Sequence, residues 1–440
     1  MYFFEIIGIL FTIYLFLIFV KRLNYSIPLL ELFFLVICVN YIISPFLIYK
    51  FFIDYANSDF ELLRIQKETY FNFVVPCILS FYSGIFLFNN KKIELVNINK
   101  SNEYFIANRP IIIYFILIGL FASVLQLFIS NFVFKIFGSF LYLSIFFLHL
   151  YKFKYKIFYT FLIFAILFYG AFKSTVYHEF FIQFIIFLFF LIKLYKIRIV
   201  NIFITLIIVF FIAITLGIVK QNYREGKENL NNSFKEQVTY MGNLLNNTLP
   251  LMYEYKNLIF FNFASRLSLG NNVAVVLYNI PQKTDFLYGS AYIDYLWNVF
   301  FLNNFYIINN DIKPFGKKMG VTDIDKFYYE YASQNDLGDV TTINLSYIET
   351  AYINFGKLGA IVICFLYGFF LKKVYNYYII LSNKYLYTQF FLFYLFSQFL
   401  IIETGLQQIF NFTIKSIIVI NIFIYFTNLY LKKNITFNEK

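Results

Sequence analysis

Glu349 is the residue whose setting asks most for a chemical explanation. It sits in "SYIE", Ser346 to Glu349, immediately before an apolar run, "AIVICFLYGFF". A carboxylate there can accept a proton or orient a hydroxyl group. A second candidate base is His178, next to Glu179 in "YHEF". Several cations accompany them: Lys173 in "GAFKST", Lys220 and Arg224 in "VKQNYREGK", and Arg266 in "ASRLSLGNN". Cations with carboxylates at a membrane surface suit a charged headgroup carrying a lipid tail. A diphosphate calls for several cations, with Arg favoured for its fork of donors.

Each candidate also has a plainer role. Ser346 and Glu349 fit the S-x-x-E capping box, which satisfies the free N–H groups of a helix start. Lys220 and Arg224 fit a solvated loop face, and His178 fits an interfacial helix end. His149 and Glu31 read as structural. Capping does not account for the residues beyond Glu349. On a continuous helix, Glu349, Ile353, Gly356 and Ala360 share one face. Gly356 and Ala360 form a small-xxx-small pair suited to close packing. That face predicts a Glu349 directed into the protein, where an ionisable group is a functional candidate.

The elements that must position these groups follow from composition. Of 440 residues, 60% are hydrophobic and only 14% charged, whereas soluble domains carry about 25% charged residues. The expected class is an all-α polytopic integral membrane protein. Apolar runs predict eleven spans, at 2–20, 27–50, 70–88, 110–130, 132–150, 157–172, 178–194, 199–219, 349–371, 385–402 and 412–431. The high Phe and Tyr counts follow the general bias toward Phe, Tyr, Ile, Asn and Lys, and carry no functional weight alone. Cys38, Cys77 and Cys364 lie far apart in apolar runs and point to neither a disulfide framework nor a metal site.

Eighteen Lys and Arg fall in one set of short loops. The opposite set holds only Lys50, Arg64, Lys67, Lys135, Lys173 and Lys415. This bias places the N-terminus outside and the C-terminus in the cytoplasm. It also accounts for the net charge of +12 without nucleic acid. The expected divisions are an eight-helix membrane region, 1–219; one large extracytoplasmic loop between helices eight and nine, 220–348; a three-helix region, 349–432; and a cytoplasmic tail, 433–440. Within the loop, 291–308 reads as an interfacial amphipathic helix anchored by Trp297 rather than a twelfth span. Neither an internal repeat nor a pair of interrupted helices is visible.

The stretch "TTINLSYIETAYINFGKLG" resembles the O-antigen polymerase (Wzy-type, oligosaccharide repeat-unit polymerase) family. The matching positions are Glu349, Tyr352, Asn354, Phe355, Gly356 and Gly359. Upstream, "SRLSLGNN", "FLYGSAYIDYLWNVFF" and "IKPFG" resemble the family's further motifs in order and spacing. Three features depart from the pattern. No Arg precedes the Lys-Pro, Lys173 stands where relatives carry Arg, and the R-x10-G spacing from Arg266 is missing, because Leu277 holds the glycine's place.

The resemblance implies a metal-independent, cofactor-free glycosyltransferase of the bacterial cytoplasmic membrane with its active site on the outer face. It would move a growing glycan from undecaprenyl diphosphate to the next lipid-linked unit, with inversion. The implied partners are the undecaprenyl-diphosphate-linked oligosaccharide, the bilayer and a chain-length regulator. Under it, Arg266, Arg224, Lys173 and Lys220 would hold diphosphate. Glu349 or His178 would serve as base, and Asn354 and Tyr288 would contact substrate. A lipid-linked glycan ligase and a polysaccharide flippase or transporter are the alternatives.

Overall fold

The computed structural model describes residues 3–23, 28–53, 61–87, 109–126, 132–150, 153–174, 178–195, 267–297, 345–384, 388–399 and 416–425, with a few single residues besides. All regular structure among them is helical. In chain order the helices are α1 (Phe3–Leu23), α2 (Leu29–Cys38), α3 (Ser44–Phe51), α4 (Lys67–Phe86), α5 (Arg109–Gln126), α6 (Phe132–Leu150), α7 (Lys156–Ser174), α8 (His178–Tyr195), α9 (Gly270–Asn279), α10 (Ser290–Trp297), α11 (Tyr347–Lys384), α12 (Thr388–Phe399) and α13 (Ser416–Tyr425). A helix therefore stands at ten of the eleven predicted spans; 199–219 lies outside the described residues. Among the described residues, four helical stretches are long and apolar enough to cross a membrane: α1, Leu29–Phe51, α4 and the Tyr347–Leu381 part of α11. Of the 291–308 segment, 291–297 belong to α10; 298–308 lies outside the described residues.

The chain forms two compact units. One comprises 1–75 with 170–274, the other 76–169 with 275–440. In the first, ion pairs tie helix ends together. Arg22 at the end of α1 pairs with the buried Glu31 of α2. Lys67 at the start of α4 meets the buried Glu5 of α1 at 2.5 Å. Both pairings agree with helices that alternate in direction. A π-helical turn, Val39–Ile43, joins α2 to α3. It leaves carbonyls for outside donors. The Tyr70 hydroxyl donates to the Tyr41 carbonyl at 3.0 Å, and the Leu269 N–H donates to the Asn40 carbonyl at 3.2 Å. Irregular backbone at membrane depth is tolerated when protein groups satisfy it in this way.

In the second unit, α5 and α6 approach closely at Gly119, where a Cβ would lie 2.4 Å from the Leu141 nitrogen. Phe115, Phe140, Phe391 and Phe423 form an aromatic core between α5, α6, α12 and α13. The packing of α4 against α11 is tighter still. A Cβ on Gly84 would meet the Phe365 carbonyl oxygen at 2.1 Å, and one on Gly368 the Phe81 carbonyl oxygen at 2.3 Å. The Ser80 hydroxyl donates to the Ile361 carbonyl at 2.7 Å. Ser80 and Gly84, four residues apart on one face of α4, thus admit the α11 backbone to direct contact, as small residues do between helices in lipid.

Candidate functional site

The helix after the long loop is not continuous. At Gly356, φ is 67° and ψ is −169°, which breaks α11 into a short arm ending at Phe355 and a long arm starting at Lys357. Only glycine adopts that φ without a Cβ penalty. The arms fold back on each other. Tyr347, at the start of the short arm, stacks on Tyr367 of the long arm with ring centroids 5.3 Å apart. Tyr347 also meets Phe81 of α4 edge-on at 5.0 Å. Tyr367 lies ten residues past Lys357, about 15 Å along a helix. The predicted single face through Glu349, Ile353, Gly356 and Ala360 is therefore corrected. Glu349 is fully buried, but it is not the outer turn of a continuous span. It lies on the short arm, which is folded back along the long arm.

A break of this kind frees the last carbonyls of the short arm. A turn 65 residues upstream satisfies them. The Leu287 N–H donates to the Ile353 carbonyl and the Tyr288 N–H to the Asn354 carbonyl, both at 3.0 Å. The Asn354 side chain completes the join. Its Oδ1 accepts the N–H groups of Gly289 at 3.1 Å and Ala291 at 3.3 Å, and its Nδ2 donates to the Thr350 carbonyl at 2.8 Å. Tyr352 donates its hydroxyl to the Ile280 carbonyl at 3.0 Å.

The glycines fit reciprocally. A Cβ on Gly289, whose φ is 93°, would lie 3.3 Å from the Phe355 ring, and one on Gly356 3.2 Å from the Phe286 ring. Tyr292 stacks on Phe355 with centroids 5.8 Å apart. "FLYGSAY" and "YINFG" thus form one tertiary unit. Asn354, expected to contact substrate, has its amide committed to holding that unit together.

Glu349 accepts a hydrogen bond from the Ser346 hydroxyl, and the Ser346 oxygen accepts the Ile348 N–H at 3.3 Å. The local capping role predicted for the Ser-x-x-Glu pattern is present. The side chain of Thr350 turns back to the Ser346 carbonyl at 2.8 Å. Tyr288 is 80% exposed and holds a positive φ of 47°. That conformation costs a non-glycine residue about 1 kcal/mol, and here the turn's hydrogen bonds to α11 hold it. Its exposed ring can stack on a ligand.

The other candidates are placed less fully. Lys173 lies in the last turn of α7 and His178 opens α8, both in the first unit. Their side chains, with Arg266, Arg224 and Lys220, lie outside the described residues. Sequence reasoning missed Tyr347 and the cysteine pair. Cys77 of α4 and Cys364 of α11, both fully buried, come within hydrogen-bonding reach. The signal for the pair was the spacing of small residues in "CILSFYSG" and "CFLYG". Among the described residues no cluster of three or more His, Cys, Asp or Glu could hold a metal ion. Comparison with family models, with curated proteins and with solved structures finds no match to this chain.

Proposed function

We propose that this chain polymerises lipid-linked oligosaccharide repeat units, passing the growing glycan from undecaprenyl diphosphate to the next lipid-linked unit. The observation that carries the reading is the join between the two motif segments. Tyr288–Gly289 and Asn354–Phe355–Gly356 are residues on which the family resemblance rests. They hydrogen-bond to each other and bring an exposed aromatic ring onto the helix that bears Glu349.

In this reaction the acceptor hydroxyl attacks the anomeric carbon. The bond to diphosphate breaks on the opposite face, and the leaving diphosphate carries the negative charge away. The protein must orient the hydroxyl, accept its proton and stabilise the diphosphate. Glu349 suits the first two tasks. The Ser346 hydroxyl that it accepts stabilises a carboxylate without neutralising it. Arg266, Arg224, Lys173 and Lys220 suit the third. Tyr288 suits stacking on a sugar face.

Glu349→Gln separates catalysis from capping, because Gln can still accept the Ser346 hydroxyl. Glycan polymerisation should fall at unchanged protein level. Full polymerisation would return Glu349 to a capping role.

A transport reading gains from one observation. A broken helix carrying a buried ionisable group is a feature that transporters use to build substrate sites. A deletion strain distinguishes these classes. Loss of a polymerase leaves surface glycan capped with single repeat units. Loss of a ligase leaves long chains on the lipid carrier, and loss of a flippase strands units inside.

A further inference from the structure

The tip of the broken α11, with the turn bonded to it, exposes large apolar side chains. Tyr288 is 80% exposed and Leu358 79%, with Ile293 at 50% and Phe355 at 41%. The join brings them together. The Tyr288 N–H donates to the Asn354 carbonyl at 3.0 Å, and Tyr292, next to Ile293, stacks on Phe355 at 5.8 Å. Two exposed cations accompany them. Lys357 follows the break, and Lys283 lies on the upstream turn with its Nζ 4.9 Å from the Tyr278 ring centroid. Asp285 is the one exposed carboxylate on that turn.

The patch continues a lipid-facing stripe. Leu358, Val362 and Leu366 lie four residues apart on one face of the long arm, and each is more than half exposed. No charged residue occurs between Lys357 and Lys372. A face of this kind, on a helix apolar enough to span, is covered by lipid tails. From Lys357 to Leu381 the long arm rises about 36 Å, more than a ~30 Å hydrocarbon layer, so Lys357 stands at one edge of that layer.

The tip does not fit within the hydrocarbon. Gln282, Lys283 and Asp285 are exposed on an irregular turn, and lipid-exposed irregular backbone does not occur there. Bulk water does not account for the apolar groups that prolong the stripe. The layer where headgroups meet tails takes both kinds of group. Tyrosine favours it, with an apolar ring and a polar tip, and lysine lays its stem on apolar surface while its ammonium meets phosphate.

We propose that Lys283, Tyr288, Ile293, Phe355, Lys357 and Leu358 form an anchor that docks on the phospholipid headgroup layer at one face of the membrane. The two ammonium groups meet lipid phosphates, and the apolar side chains enter the outermost part of the tails. The anchor holds the turn and the break of α11 at one level in the bilayer. It does not rest on the polymerase reading, and its test needs no activity.

The test uses the whole wild-type protein in phosphatidylglycerol nanodiscs. These carry, in turn, a phospholipid with a photoreactive diazirine on its headgroup and one with the diazirine at the end of its acyl chain. Labelled residues are read by mass spectrometry. The headgroup probe should label 283–288 and 355–358 several-fold more than the acyl-end probe does. The acyl-end probe should label Val362 and Leu366, and neither probe should label the buried Tyr142.

Absence of headgroup labelling at both 283–288 and 355–358 overturns the proposal, since the tip then stands in water or under another chain. Stronger labelling of Lys283 or Tyr288 by the acyl-end probe overturns it too, by placing the turn in the hydrocarbon. Lys283→Gln combined with Lys357→Gln should lower headgroup labelling of Tyr288 at least twofold. Unchanged labelling overturns the part assigned to the two lysines, and the wild-type measurement stands whether or not that variant folds.

Discussion

Asn354→Ala should open the join between the upstream turn and the broken helix. The variant removes one acceptor used by two N–H groups, those of Gly289 and Ala291, and one donor to the Thr350 carbonyl. Each N–H left without a partner costs about 1–3 kcal/mol. The turn is partly exposed, with Tyr288 and Lys283 facing outward, so water can reach it and the low end applies. Two groups then give about 2 kcal/mol, or roughly 30-fold at 1.36 kcal/mol per factor of ten.

Amide hydrogen exchange in nanodiscs reads that opening directly. Exchange at Leu287 through Ala291 should accelerate by roughly 30-fold, while the α5–α6 amides stay unchanged. Asn354→Asp keeps an acceptor for both N–H groups at the start of α10, where negative charge is favourable, and should accelerate exchange far less. Equal protection of residues 287–291 in wild type and Asn354→Ala would refute the reasoning, because the turn would then be held by something other than the side chain.

Gly84→Val and Gly368→Leu each place a Cβ against backbone oxygen, so α4 and α11 must part; a loss of about 1–3 kcal/mol or more should appear as reduced folded yield and a lower Tm. Gly170→Ala, with nothing within 4 Å of its Cβ, serves as the neutral comparison. In a Cys38→Ser background, a membrane-permeant thiol oxidant should join Cys77 to Cys364, seen as one linked peptide pair; unlinked thiols after full oxidant access would overturn the α4–α11 crossing. Lys67→Met takes the cation away from the buried Glu5 carboxylate and should cost about 3 kcal/mol, read as a lower Tm that Glu5→Gln partly restores. An unchanged Tm would show that the pair contributes nothing.

The sequence by itself determined local features. Apolar runs of span length require helices in lipid, because backbone polar groups must be satisfied within the segment. Hence helices stand at 110–130 or 132–150 near where their composition puts them. Ser346 and Glu349 likewise announce a helix start, and the cap is there. The small residues of "CILSFYSG" were legible as a packing face once a partner was known. The partner was not, since a small-xxx-small face is compatible with many helices.

The tertiary structure decided where α11 stops being one helix. A glycine permits φ 67° without requiring it, and "YINFGKLG" reads equally well as continuous. The break is stable because Leu287 and Tyr288 supply the N–H groups that the Ile353 and Asn354 carbonyls lack. Those donors lie some 65 residues away, beyond any local pattern. Glu349 is buried, as its inward-facing setting predicted; what the fold-back decides is that its short arm packs along the long arm, through a long-range hydrogen-bond exchange and not through the residues around it.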